Sequence, residues 1–156
     1  FVGSKDIIWT YKRSPRNVRA MVYSYVLTMF ILNIMITVGL TIFFTFFLEF
    51  DFFTLIFFFT FSLIYNQLVL FQAIGIQCLS PSFEEKGSAM TSNNLMLMVL
   101  QWVPFQFVFF ILIVIFEPPT SPELAKFYFL SPMLLLTAVI AIPLLFLGIR
   151  HLGKIE

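Results

Sequence analysis

The chain has 156 residues, of which 60% are hydrophobic and 11% are charged, and its mean hydropathy is +0.99. Soluble domains are about 45–50% apolar and about 25% charged, so the composition excludes an ordinary soluble protein and indicates an integral membrane protein. The net charge of +1 gives no reason to expect a nucleic-acid partner, and the single cysteine excludes an internal disulfide.

Basic side chains precede the first apolar segment, in the stretch WTYKRSPRNVRAMVYSYV. They are Lys12, Arg13, Arg16 and Arg19. Anionic lipid headgroups attract such charges by about 1 kcal/mol each, which predicts that this cluster lies at the membrane surface. No short apolar region ending at small residues precedes it, so a cleavable signal peptide is not indicated. Because the chain begins with Phe rather than Met, we expect a piece of a longer protein.

Four apolar segments without Asp, Glu, Lys or Arg follow in chain order. They cover residues 22–48, 52–79, 95–116 and 132–149. A membrane-spanning helix needs about 20 apolar residues, and helices are the default because hydrocarbon leaves every backbone group to be paired internally. The alternating segments of a β-barrel are absent. The sequence predicts an all-α polytopic membrane protein, with one transmembrane domain that bundles four helices.

Four Ser-Pro pairs mark predicted helix starts, because Ser is a good N-cap and Pro fits the first helical position. The pairs begin at Ser14, Ser80, Ser121 and Ser131. The pair at Ser80 predicts a short helix in the loop LSPSFEEKGSAMTSNN. Ser82 and Glu85 would form its capping box, and Gly87 would end it.

Polar residues also mark the starts of the last two spans. Ser92, Asn93 and Asn94 are expected to cap the third span. A short interfacial helix is expected from Pro122 in the connection EPPTSPELAKFYF, with the aromatic residues of that stretch as anchors. The fourth span is expected to begin separately, at Pro132.

Lysine and arginine are distributed unevenly between the two sides of the predicted bundle. With the N-terminus inside, eight of the nine basic residues lie in cytoplasmic segments, whereas the connection EFD carries none. Cytoplasmic loops carry the excess of Lys and Arg in membrane proteins. We therefore predict that both termini and the loop at residues 79–94 are cytoplasmic, in a multi-pass protein of the cell membrane.

Uncharged polar side chains occur inside the predicted spans. They include Gln67 and six amides that are candidate site residues, namely Asn33, Asn66, Gln72, Gln77, Gln101 and Gln106. In the first span, Asn33 begins a stripe of every fourth residue that continues through Thr37, Thr41 and Thr45. Amides in hydrocarbon need partners, so these side chains either hold helices together or line a polar path. Helix packing is the more common role, and a polar path is the alternative.

Residue types that carry chemistry are scarce. The predicted spans contain no carboxylate, His or Lys that could relay protons or select cations. No acid–base pair, activated nucleophile or metal-ligand cluster is visible. The C-terminal GIRHLGKIE matches the first part of a P-loop at Gly148, Gly153 and Lys154, but Ile155 replaces the magnesium-binding Ser or Thr. We expect neither an enzyme nor a bound metal or cofactor.

Two stretches resemble a known family. The N-terminal WTYKRSPRNVRAMVYSYV and the later GIQCLSPSFEEKGSAMTSNN, which hold 18 and 20 of the 156 residues, are similar to permease subunits of archaeal and bacterial type-2 ATP-binding-cassette exporters. In some of these permeases a span ends in Gly and is followed by Pro-x-Phe, acidic residues and Lys, as from Gly75 onward here. The family usually has six spans or more, which implies that this chain is the C-terminal part of a longer permease.

The resemblance implies a permease that moves a substrate across the membrane, energised by a separate ATPase subunit on the cytoplasmic side. The loop residues expected to contact that subunit are Pro81, Phe83, Glu84, Glu85 and Lys86. The alternative for the loop is a solvated hairpin, and the alternative for the chain is a structural or assembly subunit of a membrane complex. Either function implies lipid and other membrane helices as partners, in an oligomer.

Overall fold

The computed structural model describes residues 17–48, 51–81, 88–114 and 121–154. These residues form four α-helices and no strand. The helices are α1 (Asn17–Leu48), α2 (Phe52–Leu79), α3 (Ser88–Val114) and α4 (Pro122–Leu152). Each is long and apolar enough to cross a membrane, which confirms the predicted all-α, multi-pass membrane fold.

Helix α2 runs over the same residues as the second predicted span, and both of its ends are capped. Asp51 is the N-cap, and its carboxylate accepts hydrogen bonds from the backbone N–H groups of Phe53 and Thr54 at 3.1 and 3.2 Å. Ser80 is the C-cap, and its N–H donates to the carbonyl of Ile76 at 2.8 Å. The short helix predicted to begin at Ser80 falls on residues 82–87, which lie outside the described ranges, and within those ranges the Ser80 N–H completes the last turn of α2.

Helix α3 begins at Ser88, seven residues before the predicted start of the third span. Asn93 therefore lies inside the helix and does not cap it, contrary to the prediction, and the same holds for its neighbours Ser92 and Asn94. The Asn93 amide instead donates to the carbonyl oxygen of Ser80 at 2.7 Å. Carbonyl groups at the end of a helix lack intrahelical partners, so this bond satisfies one of them and joins α3 to α2.

Helix α4 begins at Pro122, as the Ser-Pro pair predicts, but it then continues to Leu152 without interruption. The predicted break between an interfacial helix and a fourth span starting at Pro132 is wrong. Proline is tolerated inside membrane helices because neighbouring helices and hydroxyl side chains satisfy the freed backbone groups. The hydroxyl of Ser131 donates to the carbonyl oxygen of Phe127 at 2.6 Å, one residue before the carbonyl of Tyr128 that Pro132 leaves without its helical partner.

The four helices pack in the order α1, α2, α4, α3. The most extensive contact is between α2 and α4, which form the central pair. Helix α1 packs mainly on α2, whereas α3 packs on both α4 and α2. Within the described ranges, α1 and α3 do not touch each other. The outer faces of these two helices are therefore broad, apolar and exposed.

Two glycines set the closest approach of the central pair. A Cβ atom added to Gly75 of α2 would lie 2.8 Å from the backbone carbonyl of Leu144 in α4. A Cβ atom added to Gly148 of α4 would lie 2.6 Å from the carbonyl oxygen of Gly75 and 2.9 Å from the Cβ of Cys78. Small residues allow such backbone contact between membrane helices, so Gly148 has a packing role in place of the P-loop role that its motif suggested.

A cluster of six buried apolar residues lies at one end of the bundle. They comprise one residue near the start of α1 and residues near the ends of α2 and α4, namely Val22, Ile74, Cys78, Leu145, Ile149 and Leu152. The bond from Asn93 to Ser80 brings the start of α3 to the same end. We call this the Val22 end. All the segments predicted to be cytoplasmic adjoin it.

Candidate functional site

Tyr65 and Gln101 lie at the midpoints of their helices. Tyr65 is thirteen residues after the first residue of α2 and fourteen before its last, and Gln101 is thirteen residues from each end of α3. At 1.5 Å per residue, each lies about 20 Å from either end of its helix. Two hydrogen-bonding side chains from different helices are thus at the middle depth of the bundle.

Both side chains face the same cavity. It has a volume of about 260 Å³ and lies between α2, α3 and α4, where it is lined by Tyr65, Gln101, Trp102, Phe105 and Met133. Polar groups are therefore concentrated at one place in a membrane-spanning bundle. Because such groups are costly in hydrocarbon, they indicate either a packing contact or a binding site.

A second cavity of about 240 Å³ adjoins the first and shares Phe105 and Met133 with it. Its other lining residues are apolar, namely Val108, Phe109, Phe129 and Leu130. We call the two cavities together the α3–α4 groove. The groove has a polar inner part at mid-depth and an apolar remainder that extends away from the Val22 end.

Aromatic rings fix the walls of the groove. On α2 the rings of Phe57, Phe61 and Tyr65 are stacked one turn apart, with centroids 6.1 and 5.8 Å from each other. On α3 the rings of Phe105 and Phe109 stack in the same way at 6.0 Å. Aromatic pairs at these separations stabilise one another, so the ring of Tyr65 is held in place by its own helix.

Asn33 serves a different contact, between α1 and α2. Its side chain is 5% exposed, and its Nδ2 donates to the carbonyl oxygen of Leu63 at 3.2 Å and to Oε1 of Gln67 at 3.5 Å. The hydroxyl of Thr37 donates to Oδ1 of Asn33 at 3.2 Å. Interhelical bonds of this kind hold membrane helices together, so the geometry at Asn33 supports the packing interpretation.

The threonines that continue the stripe bond within α1. The hydroxyl groups of Thr41 and Thr45 each donate to the carbonyl oxygen four residues earlier, at 2.7 Å. These two residues line a third cavity, of about 310 Å³, between α1 and α2. Its remaining lining is apolar. Because both hydroxyl protons are already bonded to the helix, this cavity offers less for recognition than the α3–α4 groove.

Gln72 lies in α2 and has no partner in the part of the chain that the structure describes. Its side chain is 0% exposed, and neither Oε1 nor Nε2 makes a hydrogen bond. Oε1 of the half-buried Gln77 is likewise without a partner. An unsatisfied buried polar group costs about 1–3 kcal/mol, so these amides are sources of local instability. Asn66, another amide of α2, is half-buried.

Gln101 and Gln106 are separated by the structure. Gln101 lines the α3–α4 groove, whereas Gln106 is exposed on the outer side of α3. Five residues rotate a helix by about 500°, which places the two side chains about 140° apart around α3. The two amides therefore cannot line one path together.

The residues predicted to meet the aqueous phase are only partly within the described ranges. Arg19 is exposed near the start of α1, and Pro81 is half-buried just after α2. The others lie outside those ranges, namely Lys12, Arg13, Arg16, Phe83, Glu84, Glu85 and Lys86. Among described residues no group of three or more His, Cys, Asp or Glu side chains could hold a metal ion.

Of the residues that line the groove, only Gln101 was identified as a site residue from the sequence. The other residues around its polar part were not, namely Tyr65, Trp102, Phe105 and Met133. The spacing of four between Phe105 and Phe109 is a signal that could have drawn attention to one side of α3. Comparisons of the chain with family models, with curated proteins and with solved structures found no match.

Proposed function

We propose that this chain is a permease component of an ATP-driven transporter. The observation that supports it best is the convergence of Tyr65 and Gln101 on one cavity at mid-depth. Substrate sites in many transporters lie near the middle of the bilayer, between helices. The cavity gives this chain the location and the hydrogen-bonding groups that such a site requires.

In this proposal another chain supplies the energy for transport. The four predicted spans contain no Asp, Glu, Lys or Arg, and neutral amides and hydroxyls bind a substrate without coupling it to an ion gradient. The resemblance to type-2 ATP-binding-cassette permeases suggests a cytoplasmic ATPase subunit as that chain. We assign the Val22 end to the cytoplasmic side of the cell membrane, following the distribution of Lys and Arg.

The Val22 end is suited to receive a force from such a subunit. The bond between Asn93 and Ser80 joins α2 to α3 there, and the buried cluster joins α1, α2 and α4. A partner that moves this end would move all four helices together. In this proposal the loop residues Phe83, Glu84 and Glu85 provide the contact.

The second candidate is a structural or assembly subunit of a membrane complex. It is favoured by Gln106, which exposes an amide on the outer side of a membrane-spanning helix. An amide in hydrocarbon is costly without a partner, so a helix of another chain would cover it. An oligomeric permease would satisfy the same residue, so Gln106 does not argue against transport.

Affinity purification of the full-length protein in mild detergent tests the proposal. ATPase activity is assayed on the proteins that co-purify, for the native chain and for a triple variant with Phe83, Glu84 and Glu85 changed to Ala. A variant with His151 and Lys154 changed to Ala is the matched control, because both residues are exposed at the same end. Transport predicts an ATPase that is retained by the control and lost with the triple variant.

The opposite result is equally informative. If no ATPase co-purifies with the native chain, the permease function is overturned. Stable co-purification of other membrane proteins in its place would establish the assembly subunit. The loop would then be a solvated hairpin.

A further inference from the structure

We infer that the α3–α4 groove binds an uncharged long-chain amphiphile. Its hydrogen-bonding group lies between Tyr65 and Gln101, and its hydrocarbon chain lies along Phe105, Phe109 and Phe129. The binding site is argued from the geometry of the groove alone. The identification of the bound molecule as the transported substrate rests on the proposed function.

The dimensions of the groove suit such a molecule. The polar part begins at Gln101 and the apolar part reaches Phe109, eight residues further along α3, which corresponds to about 12 Å. The two adjoining cavities, of about 260 and 240 Å³, together fall in the range of about 300–1,000 Å³ that small-molecule sites occupy.

The lining of the groove selects against charge. None of the lining residues of the two cavities is ionised at neutral pH, and an unpaired ion in a medium of low dielectric constant is strongly disfavoured. The phenol of Tyr65 and the amide of Gln101 can each donate and accept a hydrogen bond. They match a hydroxyl, carbonyl or carboxamide group.

The depth of the polar part distinguishes this molecule from ordinary phospholipids. The hydrocarbon core of a bilayer is about 30 Å thick, so its centre is about 15 Å from either headgroup region. Phospholipids present only methylene and methyl groups at that depth, and these cannot pair with Tyr65 or Gln101. A neutral amphiphile can bring its single polar group to the centre at modest cost and recover that cost through the two hydrogen bonds.

Trp102 provides a direct reporter, because it lines the polar part of the groove. The other tryptophan, Trp9, is replaced by Phe, and the protein is placed in phosphatidylcholine nanodiscs. The probe is 2-bromohexadecan-1-ol, in which the quenching bromine is adjacent to the hydroxyl carbon. The matched probe is 2-bromohexadecane, which has the same chain and bromine but no hydroxyl. Quenching of Trp102 fluorescence is measured against the mole fraction of each probe.

We expect saturable quenching by the alcohol, reversed by unlabelled hexadecan-1-ol, and only linear quenching by the alkane. Tyr65→Phe and Gln101→Leu each remove one hydrogen bond and are expected to weaken the apparent affinity about three- to tenfold. Gln106→Leu is the control, because it removes an amide from α3 outside the groove. Its affinity is expected to equal that of the parent protein.

A filling variant separates a loss of binding from a loss of folding. Met133 lines both cavities, so Met133→Phe is expected to abolish the saturable component. Circular dichroism and size-exclusion chromatography report whether the helices and the monodisperse state are retained. Equal quenching by the alcohol and the alkane, unchanged by Tyr65→Phe and by Met133→Phe, would overturn the inference.

The inference and the proposed function fail in different ways. An ATPase that co-purifies through the loop, together with no selectivity for the alcohol, leaves the permease function standing and removes the assignment of substrate class. Saturable, hydroxyl-dependent quenching without any associated ATPase leaves the binding site standing and removes the energised transport.

Discussion

Gly75 of α2 and Gly148 of α4 meet backbone to backbone, with the carbonyl oxygen of Gly75 only 2.6 Å from where a Cβ atom on Gly148 would lie. The contact involves backbone atoms on both sides, so no flexible side chain can move to accommodate added volume. The most extensive helix contact of the bundle therefore depends on the absence of two side chains.

Gly148→Ala tests this dependence. The added methyl group would force α2 and α4 apart, and overpacking of this kind costs about 1–3 kcal/mol. We expect a lower free energy of unfolding in detergent, measured by titration with sodium dodecyl sulfate. Gly39→Ala in α1 is the control, because nothing lies within 4 Å of the position its Cβ would occupy. Equal stability of the two variants would show that α2 and α4 do not approach each other closely at these glycines.

Asn33→Leu is expected to weaken the contact between α1 and α2. The substitution removes the bonds from Nδ2 to Leu63 and Gln67, and interhelical bonds in membranes contribute about 0.6–2 kcal/mol. The same unfolding titration measures the loss. Thr28→Ala serves as control, since Thr28 is exposed and its hydroxyl donates to the carbonyl oxygen of Ser24 in its own helix. A loss no greater than that of the control would remove the packing role.

Gln72→Met is expected to increase the stability of the bundle, in contrast to the two preceding substitutions. The substitution replaces a buried amide that has no hydrogen-bond partner among the described residues with an apolar side chain of similar length. Relief of an unsatisfied pair of polar atoms is worth about 1–3 kcal/mol, so the variant should unfold at a higher detergent fraction. Destabilisation would show that the amide is satisfied, for example by a bound water molecule.

Asn93→Ala is expected to destabilise the bundle by about 1 kcal/mol, because it leaves the Ser80 carbonyl without its bond from α3. The adjacent Asn94 is exposed, so Asn94→Ala is a closely matched control that should have little effect. Thermal unfolding followed by circular dichroism compares the two. Similar melting temperatures would show that the bond contributes nothing to the connection between α2 and α3.

The number and class of the helices could be predicted from the sequence because segments without charge, each about 20 residues or longer, have few alternatives in a membrane. The bounds of α2 followed because polar or charged residues flank it closely, with Asp51 at its start and Ser80 at its end. The start of α3 and the continuity of α4 were harder to predict. The polar residues before Asn94 and the proline at position 132 resemble breaks, yet both are compatible with helix once neighbouring groups pair with them.

The candidate site was less accessible to sequence reasoning. A helix surrounded by lipid is apolar on its outer face as well as its inner face, so periodicity does not show which side meets another helix. The sequence drew attention to Gln101 and Gln106 equally, although only Gln101 faces the groove. The convergence of Tyr65 with Gln101 depends on the packing order of the helices, which no local pattern encodes.

The uneven distribution of the core has a consequence for how the bundle fluctuates. A cluster of six buried apolar residues lies at the Val22 end, while at the opposite end Phe46 and Phe53 are 82% and 78% exposed. Regions with few buried contacts open with the lowest free energy. Amide hydrogens near Leu48 and Phe52 should therefore exchange fastest, and those around Cys78 and Leu152 slowest. The helices would fray at one side of the bilayer while remaining packed together at the other.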